Sequence, residues 1–200
     1  MTLLSDLLAK QDFSGEVEKL GQDLRAQFEL PPVAQLGLVV LDLRSIPPIL
    51  QRYRIPDLYL LKGSPVLWRE QGAERKVSGR IGLTAYAGYE LEFIEPTRGS
   101  DFYTGAVDAD GGIAVHHLGL RCRDVDAWAR KLEAAGMALL VRGKLEVGPL
   151  QAEFAYMDTI KRAGVILEFI EWKLFGRSFI PKPESWRRET LDRLFTHRKT

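Results

Sequence analysis

Four residues of this chain pair metal-ligating or proton-handling side chains with matched positions: Gln35, Glu92, His117 and Glu168. Glu92 is second in Leu91-Glu92-Phe93-Ile94-Glu95, a pentapeptide that recurs unchanged as Leu167-Glu168-Phe169-Ile170-Glu171. Gln35 heads Gln35-Leu36-Gly37-Leu38, which His117-Leu118-Gly119-Leu120 answers, and Asp42 and Asp124 follow at the same offset from each. Side chains alternate between the faces of a strand. Leu36, Leu38 and Val40, like Leu118, Leu120 and Cys122, then form an apolar face, and Gln35 and His117 stand on the other. Glu92 and Glu168 likewise oppose Leu91 and Phe93, and Leu167 and Phe169. A mid-strand carboxylate is costly to bury unpaired, and the pattern repeats that cost at equivalent positions. Taken singly, a solvent-facing Glu or a hydrogen-bonded core histidine accounts for each residue. Taken together across facing sheets, the four donors meet at one point, and three oxygens with one nitrogen suit a divalent cation.

A duplicated supersecondary unit must position these donors. Val33 to Leu41 and Ala114 to Arg123 read as equivalent strands rich in β-formers. Helices follow each: Arg44 to Tyr53, with Pro47 and Pro48 suited to a first turn, and a stretch that Asp124 caps and Gly136 ends. Three further strands complete each half, near Leu58 to Leu61, Val77 to Tyr86 and Tyr89 to Glu95, then Ala138 to Val141, Gln151 to Met157 and Val165 to Glu171. The expected fold is therefore α+β, two β-α-β-β-β repeats with helical arms at both ends. The expected boundaries are an N-terminal helical arm (1–32), a first unit (33–96), a connector (97–113), a second unit (114–172) and a basic aromatic tail (173–200). Apolar spacings of three and four define the first arm, with a break expected at Ser14-Gly15 and a stop at Pro31-Pro32. The tail reads as a solvated charge run or as an anionic-ligand or partner patch.

Composition bounds the function. With 28 Lys and Arg against 27 Asp and Glu, net charge +1, the chain has no general pull toward nucleic acid or an anionic membrane. The single cysteine, Cys122, excludes an intrachain disulfide and a Cys-only metal cluster, and fits a reducing cytoplasm. No apolar run approaches the ~18 residues of a membrane span, and the start lacks the basic region of a secretory signal. Phosphate-loop, Rossmann and nucleophile-elbow signatures are absent, so no nucleotide cofactor is expected.

The duplication, element order and donor positions resemble the vicinal oxygen chelate superfamily of glyoxalases, methylmalonyl-CoA epimerases, extradiol dioxygenases and bleomycin-resistance proteins. The resemblance spans roughly residues 33–172 and is carried by the Val115-to-Leu120 segment with Asp124 and by the two repeated pentapeptides. It implies a half-open barrel whose cleft binds one divalent metal (Zn, Ni, Co, Mn or Mg) through Gln35, Glu92, His117 and Glu168. Some glyoxalases use this order of ligand types, whereas epimerase-like members have His in place of Gln35. A non-haem iron oxygenase wants two His and one carboxylate; with one His among the four positions, a dioxygenase is disfavoured. The resemblance further implies proton transfer next to a carbonyl, as in an isomerase, epimerase or lyase, with Glu168 as ligand and base and Glu92 serving the opposite face. Val39 and Pro96 occupy the places of glyoxalase I's glutathione-holding Arg and Asn, so glutathione is not expected. Glu92 to Pro96 and Glu70-Gln71-Gly72 match epimerase-like patterns; Glu70 is read as a second base or as a solvated turn residue. Arg121 is read equally as a substrate-carboxylate partner or as half of an internal salt bridge. Tyr86, Phe154 and Tyr156 are candidates to line the substrate space, against a plain core role. The partner implied is a small molecule, with a homodimer as the assembly to test. The alternative function is a non-catalytic protein of the same fold that sequesters a small molecule; a regulatory module docking through the tail is a third.

Overall fold

The protein is described by a computed structural model covering residues 2–106 and 112–181. Three helices open it: α1 (Leu4–Leu8), α2 (Phe13–Lys19) and α3 (Gln22–Gln27). The break expected at Ser14-Gly15 lies elsewhere. Asp12 caps α2 by accepting from the Gly15 N–H, which places Ser14 and Gly15 in the first helical turn. The chain turns before Asp12 and again at Gly21, which sits in the left-handed region (φ 61°). After Pro31-Pro32 come β1 (Val33–Val39), a 3₁₀ turn that Asp42 caps, and α4 (Pro47–Arg52) with proline in its first turn. The first half continues with β2 (Tyr59–Gly63), β3 (Leu67–Glu70), β4 (Ala73–Glu74), β5 (Ser78–Tyr86) and β6 (Tyr89–Arg98). The second comprises β7 (Ala114–Arg121), α5 (Val125–Glu133), β8 (Leu139–Val147), β9 (Leu150–Met157), α6 (Ile160–Ala163), β10 (Ile166–Leu174) and β11 (Arg177–Phe179). Asp124 caps α5 through the Ala127 N–H, as its sequence position requires.

The strands form one sheet in the order β2-β5-β6-β1-β7-β10-β9-β8-β3-β4, with β11 added beside β10. β1 and β7 meet antiparallel at the centre, and each lies parallel to the last strand of its own unit, β6 or β10. The order β2-β5-β6-β1 is thus mirrored as β8-β9-β10-β7. The result is an α+β half-barrel of two β-α-β-β-β repeats, the fold class expected. On one face Leu36, Leu38, Leu91, Phe93, Leu118, Leu120, Leu167 and Phe169 are all fully buried and belong to the main core. Burial of each such side chain contributes roughly 1.5–3 kcal/mol. Trp128 of α5 stacks on Phe169 at 5.5 Å. The N-terminal helices tie both halves together: Phe13 packs edge-on against Tyr86 of β5, and Lys131 of α5 donates to the Phe28 carbonyl.

Two departures shape the cleft side. The β3–β4 hairpin has no counterpart in the repeat. β3 leaves its own half and pairs with β8, bringing Leu67 opposite Lys144 and Glu70 opposite Val141. It carries Trp68, 2% exposed, into a second cluster with Tyr103, Phe154 and Tyr156. At the other end, the expected tail begins as strand: β10 runs to Leu174 and Trp172 faces Phe179 of β11. Residues 182–200, with the rest of that tail, lie outside the described residues. Among the described residues no helix is long and apolar enough to cross a membrane.

Trp68 joins strands of different halves through one buried indole. Trp68→Ala is therefore expected to cost about 3–5 kcal/mol, read as a lowered urea midpoint with an unchanged far-ultraviolet spectrum. A cost below about 1 kcal/mol would mean that the hairpin is a dispensable edge.

Candidate functional site

Two glycines make the site possible. Across the central strand pair, Gly37 lies opposite His117 and Gly119 is registered with Gln35. Alongside, Gly37 is level with Glu92 of β6, and Gly119 with Glu168 of β10. Each glycine is thus flanked by two of the four donors. A Cβ at Gly37 would fall 1.8 Å from the His117 ring, and one at Gly119 would fall 2.5 Å from Gln35 Oε1. The donors fold inward over bare backbone. The β1–β7 register shifts twice, between Val33 and Gln35 and between Gly37 and Leu38. Such bulges re-aim side chains, and here each precedes a donor in its unit, at Ala34 and at His116.

Ligand atoms of Glu92, His117 and Glu168 lie within 4.8 Å of one another. His117 Nε2 is 3.1 Å from Glu168 Oε2 and 3.5 Å from Glu92 Oε2, yet at the shorter distance the pair lacks the alignment of a hydrogen bond. Among the described residues, the buried side-chain atoms left without a hydrogen-bond partner are Gln35 Oε1, His117 Nε2 and Glu168 Oε2. Buried polar atoms are seldom orphaned. Three orphans at three of four matched positions suit a cation bound through two carboxylates, an imidazole and an amide oxygen.

Burial opposes charge on His117, but Glu168 and Glu92 outweigh it and lift the imidazole to about 9. Burial pushes the Glu168 carboxyl up, against the pull of His117. His117 Nδ1 lies 3.1 Å from Nδ1 of His116, which burial and its charged neighbour push down to about 3 and which bonds the Phe102 backbone. A neutral His116 accepts at that atom, leaving His117 Nε2 to face the carboxylates.

A cleft opens beside these donors, with Gln35, Glu92 and Glu168 in its lining. Its walls include Trp68, Ile94, Tyr103, Phe154, Tyr156 and Ile170. Tyr156 hydroxyl meets that of Tyr103 at 2.9 Å, and its ring lies 5.0 Å from His117. Tyr156 and Phe154, candidates from the sequence, line this cleft together with Trp68 and Tyr103, which sequence reasoning missed and which come from the unrepeated hairpin and the connector. Tyr86 is corrected. Odd positions of β5, such as Ile81, face the cleft, whereas Tyr86 has the opposite parity and packs on Phe13. Arg121 is corrected as well: its guanidinium is 3.2 Å from Glu90 Oε2 and donates to the Pro181 carbonyl at 2.6 Å. It is an internal ion pair. Glu70 accepts from Trp68 Nε1 and Ser100 Oγ and lies 3.5 Å from Arg75, a hairpin brace away from the donors. The missed member of the site is Glu90, 2% exposed, which accepts from Gln35 Nε2. Burial pushes it up to about 7 against the pull of Arg121. Its only sequence signal is a second acid two residues before Glu92 on the same face.

Gly37→Ala and Gly119→Ala are expected to weaken zinc binding by about tenfold or more, measured by competition with a chromophoric chelator. Overpacking costs each about 1–3 kcal/mol of stability. Gly105→Ala, where a Cβ meets open space, is the control and leaves both quantities unchanged. Unaltered zinc affinity in both site variants would show that the donors do not depend on the bare backbone.

Comparison with known proteins agrees with this architecture. Residues 34–156 match the sequence family described as the Glyoxalase/Bleomycin resistance protein/Dioxygenase superfamily. No match to a curated protein sequence was found. Among solved structures, two variants of Streptomyces coelicolor methylmalonyl-CoA epimerase, each in complex with 2-nitronate-propionyl-CoA, align with TM-scores of 0.50 and 19% identity. They cover 70% of this chain and 94% and 96% of their own. Methylmalonyl-CoA epimerase from Mycobacterium tuberculosis aligns at a TM-score of 0.49 and 16% identity, covering 69% of this chain and 85% of its own. At these identities the structural likeness concerns the fold alone, whereas the sequence family covers more than half the chain. The chain belongs to the glyoxalase, bleomycin resistance protein and dioxygenase superfamily.

Proposed function

We propose that the protein is a metal-dependent enzyme that moves a proton on the carbon next to a carbonyl, an isomerase, epimerase or lyase acting on a small oxygen-rich substrate. One observation carries this reading. Gln35 Oε1, His117 Nε2 and Glu168 Oε2 are buried without hydrogen-bond partners among the described residues, and His117 and Glu168 form one cluster with Glu92. These four residues would hold the ion. When bound, a divalent metal supplies Lewis-acid polarisation of a substrate oxygen.

The chain's own residues do the rest. Glu168 is the base: burial raises its carboxyl, which brings proton abstraction closer to balance near neutral pH. Glu92, its counterpart in the other unit, serves the opposite face, so that a proton leaves one face and returns to the other. The aromatic wall of Trp68, Tyr103 and Tyr156 holds a carbon skeleton and keeps water from the reacting carbon. Burial pushes the Cys122 thiol up to about 12, which accords with an inert core residue. The same apolar wall supports a second reading, capture of a small molecule without chemistry.

Metal analysis of the purified protein is expected to find stoichiometric zinc, nickel, cobalt, manganese or magnesium. In deuterium oxide, a panel of 2-oxo compounds and acyl-CoA thioesters, methylmalonyl-CoA among them, is expected to include a substrate whose adjacent proton exchanges. Glu168→Gln then lowers that exchange by ~10²–10⁴-fold while much of the metal stays bound. Wild-type exchange in the variant would reduce Glu168 to a ligand. Tight binding with neither metal nor exchange would establish the capture reading.

A further inference from the structure

Gln35 is the weakest donor of the four, and the structure gives it a support that its symmetry mate lacks. An amide presents either its oxygen or its nitrogen, and only the oxygen can bind a cation. Beneath Gln35 lies Glu90, level with it on the neighbouring parallel strand and 2% exposed. In its ionised form, which the Arg121 guanidinium favours, Glu90 only accepts, and the Gln35 nitrogen faces it. The oxygen is then turned over Gly119, beside Glu168, where it has no hydrogen-bond partner among the described residues. Arg121 in turn holds Glu90 at 3.2 Å, its own side chain 6% exposed.

The support is specific to this half. Matching Gln35 with His117 pairs Val39 with Arg121, and matching the pentapeptides pairs Glu90 with Ile166. On the β6 side the unit has a buried carboxylate under an amide donor; on the β10 side it has an isoleucine under an imidazole. His117 needs no such acid, because Nδ1 of the ring is met by His116. An amide with no fixed partner would turn its N–H groups toward the cleft as readily as its oxygen.

We infer that Glu90, held by Arg121, is a positioning residue that locks the Gln35 amide oxygen toward the metal space and makes a glutamine a competent ligand there. The inference rests on the metal reading above. Charge-assisted donation from the amide nitrogen also draws electron density onto the oxygen, which strengthens it as a donor.

The test replaces the support by the other half's own residues, Glu90→Ile with Arg121→Val, which leaves no buried charge unpaired. Zinc affinity at pH 8 is measured by chelator competition, in the parent and in a Gln35→Ala background. The double replacement is expected to weaken zinc binding ~10–100-fold in the parent and to do nothing further once Gln35 is alanine. An equal loss in both backgrounds would make the pair a structural element only, and no loss in the parent would overturn the inference while the metal reading stands. Wild-type protein that takes up no zinc, nickel or cobalt overturns the metal reading and the role of Gln35 with it. Should the replacement fail to fold, the wild type suffices. Side-chain NMR of ¹⁵N-glutamine protein, with Gln35 assigned from its loss in Gln35→Ala, is expected to show one strongly deshielded, slowly exchanging amide proton. A solvent-averaged Gln35 amide would refute the lock.

Discussion

Two carboxylates, an imidazole and an amide oxygen are held largely out of water over the bare backbone of Gly37 and Gly119, and the rest of the structure answers to that burial. Removing such groups from water costs several kcal/mol each unless charge and hydrogen bonds are returned to them. Part of the return is visible. His117 lies between the two carboxylates, its second nitrogen meets His116, and the Gln35 nitrogen meets Glu90. The remainder, three orphaned atoms, has no protein solution among the described residues. Stability is offered by the opposite face, where eight leucines and phenylalanines of the four central strands are fully buried. The same strands thus carry the cost on one face and its compensation on the other.

Period-two alternation read from the chain assigns the donor-bearing stretches of β1, β6, β7 and β10 to their faces, because duplication offers each assignment a second witness; Val33 and Val115, beyond the two bulges, depart from it and join the core. Gln35, Glu92, His117 and Glu168 were legible for that reason. What duplication does not repeat, it does not reveal. Glu90 stands one residue before the pentapeptide and Ile166 takes its place in the other half, so comparison of the halves passes over it. Arg121 was read on the right face, but its partner is Glu90, and the choice between substrate and ion pair required knowing that a parallel neighbour lay within 3.2 Å. Tyr86 failed on parity: the strand continues past Leu83 without a bulge, and counting outward from Ile81 sends it to the core side.

The hairpin of β3 and β4 was not legible at all. Leu67-Trp68-Arg69-Glu70 is short and half charged, and nothing local says that its partner is β8, more than seventy residues away. Edge pairings between halves depend on how far the sheet curls, a global property that composition and spacing do not carry. The N-terminal arm shows the converse. Its apolar spacing was readable, while the break depended on one side chain, since Asp12 caps α2 and thereby draws Ser14 and Gly15 into the helix.

Duplicated strands with unduplicated surroundings give the two carboxylates unequal settings. The side chain of Glu168 is 5% exposed and that of Glu92 is 15% exposed, although their strands are identical over five residues. On the Glu168 side, Tyr156 lies level on β9, with Tyr103 and Trp68 packed behind it. On the Glu92 side, the level residue of β5 is Leu83, with Gly79 and Ile81 further along the strand. Burial on the Glu168 side pushes its carboxyl up. The hairpin that breaks the symmetry of the fold is therefore also what sets Glu168 apart from Glu92: by extending one edge of the sheet it brings an indole to one wall of the cleft and leaves the other wall open.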